Sequence, residues 1–247
     1  NNIFLNEKLL ARVKSIYDKK EQLNLSTEDA KLLEDLYESF KANGATLNKD
    51  DKEKYRKLSM DLSMLTLQFD QNALKDKNRF ELLITDENEL SGLPESARDA
   101  AAMLAKSKDK NGWLFNLSAP SYIPFMRYSD KRDLREKMYR EYMSVGNKGD
   151  EFDNKDIIKK IVNIRLEIAQ LMGFKNYAEY ALEHTMAKNS ANVYKLLNQL
   201  LEAYKPIAIN EYNAVEGFAL GTEKENITVM PWDWSYYSNK LKDKKFN

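Results

Sequence analysis

The sequence predicts a mainly α-helical protein, a multi-helix array or bundle with at most a short two-stranded β element near 80–84 and 112–117. Apolar residues recur at intervals of three and four along most of the 247 residues. Only eight glycines and five prolines interrupt them, so long helices are expected. We expect residues 1–247 to form a single helical unit with a sub-boundary near 76–120.

Three helices are predicted before residue 75. Asn6 can cap the first, and Ser26 or Thr27 begins the second, which packs against the first and ends at Gly44 in a left-handed conformation. A longer helix over 48–74 carries an apolar stripe that predicts burial along one broad side. The stripe consists of Tyr55, Leu58, Leu62, Leu65 and Phe69, widened by Met60, Met64 and Leu67.

The apolar period changes at Phe80–Ile84 and Trp113–Leu117, which predict two short strands able to pair with each other. Between them Pro94 opens an alanine-rich helix. Later helices are expected to begin at Asp130, at Asp153 or Asn154, at Asn176 with Glu179, and at Ser190. Pro206 should kink or break the last of these because proline removes a backbone donor. A polar loop is expected at 222–226.

Composition excludes several classes of function. The chain has 39 basic and 39 acidic residues, so we expect no nucleic acid and no membrane surface as a partner. The absence of cysteine excludes disulfides and thiolate metal sites. The first residues, which lack methionine, form no secretion signal, so the chain is expected to be an excised piece of a longer one. The compartment stays open between cytoplasm and periplasm.

His184 is the only histidine. A catalytic zinc ion generally takes three protein ligands, and a Ser-His-Asp triad would need this same histidine. We therefore expect no zinc bound by this chain. His184 itself is expected to pack on a helix beside Tyr177 and Tyr180.

Acidic residues do not complete a site either. Adjacent acids occur at Glu34–Asp35, Asp50–Asp51 and Asp150–Glu151. Neighbouring side chains on a helix point apart, which disfavours a shared-proton pair. Asp153, Asn154 and Asp156 lack the glycine and glutamate of a calcium loop. We predict no catalytic residue and no metal ligand in the chain, and its substrate-binding residues stay unassigned.

The segment Pro231–Tyr237 contains four aromatic residues and an acid. It can form a peptide-contacting surface, but the favoured interpretation is that the aromatic side chains are buried against the helices. These four residues are Trp232, Trp234, Tyr236 and Tyr237.

Ordered blocks of residues recur along the chain. They include Gly112-Trp113 through Pro120-Ser121-Tyr122, Pro124-Phe125, Arg132–Glu136, Asp153-Asn154, Leu171–Tyr180, Met186-Ala187 and Pro231–Trp234 with Tyr236-Tyr237. In this order and spacing the chain resembles, over essentially 1–247, the peptidyl-dipeptidase branch of the thimet oligopeptidase family of zinc metallopeptidases.

The resemblance implies a helical, two-lobed peptidase whose deep channel admits short peptides, and in which an H-E-x-x-H helix holds zinc and activates water. That motif is absent here. The resemblance therefore implies that 1–247 is the non-catalytic, N-terminal-side lobe, a channel-wall portion that is inactive alone. The parent would bind zinc in its missing catalytic half and cleave short peptides; release of C-terminal dipeptides is predicted, and internal cleavage stays open.

An alternative function is a self-sufficient helical scaffold or peptide-binding module without catalysis. It is motivated by the lack of any catalytic constellation. If the chain is a piece of a peptidase, its partners are the missing catalytic half and short peptides. Surfaces that the missing half normally covers would then allow the isolated chain to self-associate.

Overall fold

A computed structural model describes residues 3–222 and 227–246 and confirms the mainly α-helical fold with one two-stranded sheet. The helices are α1 (Glu7–Tyr17), α2 (Thr27–Ala42), α3 (Lys49–Arg79), α4 (Glu95–Lys106), α5 (Ala119–Tyr128), α6 (Arg132–Met143), α7 (Lys155–Leu171), α8 (Tyr177–Leu182), α9 (Ser190–Thr222) and α10 (Trp234–Phe246). The strands are β1 (Leu82–Ile84) and β2 (Trp113–Phe115). The loop predicted at 222–226 lies, after Thr222, outside the described residues.

The chain divides into two compact units. The first comprises the residues up to Phe69 together with Asp156–Leu196, and the second comprises Asp70–Lys155 together with the residues from Leu197 onward. That residues 1–247 act as one lobe with a sub-boundary near 76–120 stays a prediction.

In the first unit, α1 and α2 begin and end as their sequences predict. The side chains of Asn6 and Ser26 accept hydrogen bonds from backbone N–H groups in the first turns of α1 and α2. Gly44 follows α2 with φ of +80°. Phe40 of α2 is almost completely buried, and its ring meets that of Phe4 edge-on at 5.3 Å. The helix pair thus has its own small core.

A second core in this unit joins α3 to α7. Tyr55 and Leu58 of α3 are buried with Ile168 of α7 and with Leu5. The widening residues of the α3 stripe are more than half exposed: Met60, Met64 and Leu67. The expectation that one broad side of α3 is buried is therefore wrong. Only positions 55, 58 and 62 of this part of α3 face the cluster with Ile168.

The second unit is organised around the short sheet. β1 and β2 pair antiparallel, with Leu83 opposite Leu114, as the sequence predicts. Phe115 of β2 meets Phe125 of α5 edge-on at 4.8 Å. Met138 of α6 completes the largest apolar cluster of this unit, in which it is fully buried.

α9 continues through Pro206, so a break there is wrong, whereas a kink stays a prediction. Proline removes one backbone donor, and the carbonyl that loses its partner belongs to Glu202. Glu202 is exposed, so water can hydrate this carbonyl and the helix persists.

Within the described residues, no helix has both the length and the apolar content that a membrane crossing requires.

The turn before α4 depends on Gly92, whose φ is +82°. A Cβ atom added there would lie 2.2 Å from the Tyr128 carbonyl oxygen. We expect Gly92→Ala to lower the free energy of unfolding by about 2 kcal/mol or more, measured by urea denaturation with circular dichroism. Gly217→Ala in α9 is the control: it meets open space and should raise stability by about 0.5–1 kcal/mol. Equal stability of Gly92→Ala and wild type would contradict this turn geometry.

Candidate functional site around Asp233 and Asp130

His184 does not pack on a helix, which corrects the sequence-based expectation. α8 ends at Leu182, so the histidine ring is not carried on its face. The ring is exposed, with Nε2 3.3 Å from the carboxylate of Glu183. Across residues 3–222 and 227–246, no three His, Asp or Glu side chains are grouped so that they could share a metal ion. The donor set of the described residues therefore does not fit zinc.

Three of the acidic residues singled out by sequence have partners within the chain. Asp150 pairs with Arg79, and Asp35 pairs with Lys31 one turn earlier on α2. Asp153 lies directly before α7, where the sequence predicts a helix start, and accepts the backbone N–H of Lys155 at 2.9 Å. This hydrogen bond and the Lys155 side chain lower the pKa of Asp153 to about 2. Each of these three carboxylates therefore has a structural role, since it accepts a backbone N–H at a helix start or pairs with a basic side chain.

The aromatic segment contains a fully buried carboxylate with several hydrogen-bond donors, that of Asp233. Asp233 is fully buried at the end of the 3-10 turn Pro231–Asp233 that precedes α10. Arg132 donates its Nε to both carboxylate oxygens at 3.1 Å and its Nη2 to Oδ2 at 2.7 Å. The backbone N–H of Met230 donates to Oδ2 at 3.0 Å, closing the turn.

Arg135 supplies the second cation of this centre. Its side chain is 1% exposed, and its Nη2 donates to Asp233 Oδ1 at 2.9 Å. Nη1 donates to the Ser129 carbonyl at 2.7 Å, and Nε donates to the Trp232 carbonyl at 3.3 Å. The guanidinium also lies 4.0 Å from the centre of the Tyr236 ring, a cation–π contact. This buried charge is therefore hydrogen-bonded on all three nitrogens.

The charge balance of the centre keeps Asp233 ionised. Burial by itself raises the pKa of the Asp233 carboxyl, but hydrogen bonds from Arg132, Met230 and Arg135 outweigh burial and hold its pKa below the ordinary value. A carboxylate that is buried and bound in this way does not act as a general base on a ligand. Its role is to fix the start of α10 against α6.

Three of the four aromatic residues are buried, which confirms the favoured interpretation for them: Trp232, Tyr236 and Tyr237. Trp234 is the exception, with 38% of its surface exposed. It stacks on Tyr212 of α9 at a centroid distance of 6.0 Å, and both line an open apolar cleft of about 540 Å³ with Val229, Met230 and Pro231.

Asp130 is not the cap of α6; the position belongs to Lys131, whose side chain makes no capping bond. Asp130 instead accepts the hydroxyl of Tyr236 at 2.6 Å and the hydroxyl of Ser91 at 2.8 Å. Lys240 Nζ lies 3.3 Å from the same carboxylate. Burial raises the pKa of Asp130, and the bonds from Tyr236, Ser91 and Lys240 outweigh it and lower the pKa.

Sequence reasoning did not find Arg132 and Arg135 as partners of Asp233, because about a hundred residues separate them. One signal was available. Two arginines three positions apart share a helix face, and a buried-type aromatic segment carrying an acid needs a cation to neutralise it.

Comparison with known proteins gives consistent matches. Residues 125–247 match Peptidase family M3. Oligopeptidase A of Salmonella typhimurium is 35% identical over 243 residues, which are 96% of this chain and 35% of that protein. Dipeptidyl carboxypeptidase of Escherichia coli is 29% identical over 248 residues, which are 100% of this chain and 36% of that protein. The chain thus spans about a third of the length of these curated relatives.

Removal of the Asp233 carboxylate should destabilise the protein strongly. Asp233→Ala leaves the buried Arg135 without its charged partner, so we expect the free energy of unfolding to fall by about 3–5 kcal/mol in urea titrations. Glu136→Gln is the matched control on α6, since it breaks an exposed pair with Arg140 and should cost less than about 1 kcal/mol. If both variants lowered the free energy of unfolding by a similar small amount, the ion pairs of Asp233 would not stabilise the fold as described.

Proposed function

Because the chain belongs to the thimet oligopeptidase and peptidyl-dipeptidase family, peptidase family M3, we propose that it is the helical, substrate-limiting wall of a zinc-dependent peptidase. The whole protein would hydrolyse short peptides and release C-terminal dipeptides. The observation that supports this is similarity along nearly the whole chain to an oligopeptidase and a dipeptidyl carboxypeptidase. The chain spans only about a third of their length, so the wall would be one part of a longer polypeptide.

In this proposal zinc and the water-activating glutamate belong to the part of the polypeptide outside residues 1–247. A catalytic zinc ion generally takes three protein ligands, and this sequence has one histidine and no cysteine. His184 is exposed beside Glu183 and has no third donor grouped with it among the described residues. The 247-residue chain by itself would therefore be inactive.

The surface of α9 supports a larger assembly. Its exposed apolar residues include Leu197, Leu200, Leu201, Tyr204, Ile207, Ile209 and Tyr212, each between 41% and 61% exposed. A broad apolar face of a helix is normally buried, and an exposed one marks an interaction surface. We infer that the remaining polypeptide of the whole protein covers this part of α9, because the relatives are nearly three times as long as the chain.

Hydrolysis assays test whether the catalytic zinc site lies outside residues 1–247. Residues 1–247 incubated with zinc and a short fluorogenic peptide should give no hydrolysis, because the zinc ligands are missing. The product of the whole gene should cleave the same peptide, lose activity with a chelator and regain it with zinc. Zinc-dependent turnover by residues 1–247 alone would contradict the proposal. A stop codon directly after Asn247 would favour the scaffold alternative.

The exposed face of α9 also predicts the behaviour of the isolated chain. Residues 1–247 should self-associate with rising concentration in light scattering, and Leu201→Lys with Tyr204→Lys should shift the protein toward monomer. Leu32→Lys on α2 is the control, since Leu32 is equally exposed but lies outside the apolar face and should change nothing. A clean monomer at all concentrations would count against an interaction surface on α9.

A further inference from the structure

An open polar cleft of about 600 Å³ lies in the second unit, beside the turn that precedes α4. Residues between 87 and 93 form one side of it, and Arg98 of α4 and Lys131 at the start of α6 complete the lining. Both cationic side chains are half-buried. The cleft is separate from the Asp233 centre, whose donors and acceptors are occupied by one another.

The two cations of the cleft have no acidic partner. Within the described ranges, neither Arg98 nor Lys131 forms an ion pair or a side-chain hydrogen bond. The Nε of Arg98 is buried and has no hydrogen-bond acceptor. This nitrogen is out of contact with solvent, so a ligand in the cleft would meet the charge of the Arg98 guanidinium group rather than its Nε, and that charge has no acidic partner among the described residues.

The wall of the cleft is held rigidly. The backbone N–H of Asp130 donates to the Ser91 carbonyl at 2.9 Å, and the Ser91 hydroxyl donates to Asp130 Oδ2 at 2.8 Å. Gly92 approaches the Tyr128 carbonyl so closely that no side chain fits. Asp130 is itself compensated by Lys240, so it does not neutralise Arg98 or Lys131. A cleft fixed before binding loses little conformational entropy when a ligand enters.

The charge of the lining selects the kind of anion. Arg98 and Lys131 contribute two positive charges, and Glu87 contributes one negative charge, which leaves one net positive charge. A carboxylate carries a single negative charge and matches the fork of a guanidinium group. Phosphate monoesters carry about −1.5 to −2 at neutral pH, which this lining does not balance.

We propose that this cleft binds a carboxylate, held by Arg98 and Lys131. The carboxylate can belong to the C-terminus of a short peptide or to an aspartate or glutamate side chain within it. That the carrier is a peptide rests on the proposed function, whereas the carboxylate chemistry rests on the cleft. The site would hold substrate or product peptides away from the zinc of the whole protein.

The test follows the Nε–H signal of Arg98 by NMR in ¹⁵N-labelled protein of residues 1–247, with the signal assigned from Arg98→Gln. The probes are N-acetyl-trialanine, its C-terminal amide, an acetylated amide peptide with one aspartate, and inorganic phosphate. A saturable shift with the free acid but not with its amide assigns the site to a C-terminus. A shift with the aspartate peptide assigns it to acidic side chains.

Variants show whether the cleft residues hold the ligand. Lys131→Gln should weaken the binding of the carboxylate probe by about tenfold, a common effect of losing a charge-assisted hydrogen bond. Lys106→Gln removes an exposed cation of α4 outside the cleft and should leave the affinity unchanged. No shift with either carboxylate, tighter binding of phosphate, or equal effects of the two lysine variants would overturn the proposal. Binding is read without hydrolysis, so a whole-gene product that lacks peptidase activity would leave this result standing.

Discussion

The Asp233 carboxylate is the interaction on which the organisation of the second unit depends. It is fully buried, and a buried charge is tolerated only when it is paired and hydrogen-bonded. Both of its cationic partners, Arg132 and Arg135, lie on the first turn of α6. Desolvation of the Asp233 and Arg135 charges is therefore offset only when the 3-10 turn before α10 meets α6 in one orientation. The carboxylate thus fixes a contact between segments about a hundred residues apart.

The other contacts of this unit follow from that orientation. Arg135 can lie against the Tyr236 ring because Asp233 holds the start of α10 in place. The Tyr236 hydroxyl then reaches Asp130, and Asp130 reaches Ser91 in the turn before α4. Trp232, next to Asp233, enters the same apolar cluster as Met138. One ion-paired centre therefore positions both the core packing of α6 and the wall of the cationic cleft.

Local signals predicted much of this fold, because caps, strand segments and apolar spacing depend on neighbouring residues. Asn6, Ser26 and Asn176 cap helices as expected, and the two short strands pair. One error arises where a distant residue competes for the same group. Aspartate is a residue type that commonly caps helices, but the carboxylate of Asp130 accepts a hydrogen bond from the hydroxyl of Tyr236, which lies far along the chain.

Burial was the least predictable property. The apolar spacing along α9 is typical of a core helix, yet these side chains are largely exposed, and Met60 and Met64 of α3 are likewise exposed. Periodicity identifies which face is apolar but not whether the described chain covers it. His184 shows the same difficulty, since its exposure depends on where α8 ends and not on the composition around it.

The second unit has two surfaces without a partner in the described residues: the exposed apolar side chains of α9 and the polar cleft lined by Arg98 and Lys131. Because one is apolar and the other is charged, they favour different partners. The apolar side chains of α9 gain free energy only by losing contact with water over a large area, as in contact with another folded surface. Arg98 and Lys131 lie in an open polar cleft, where a folded surface would have to bury two charges. A small mobile anion can reach them without that cost. A chain that served only as an inert wall would need the first surface but has no physical reason to keep the second.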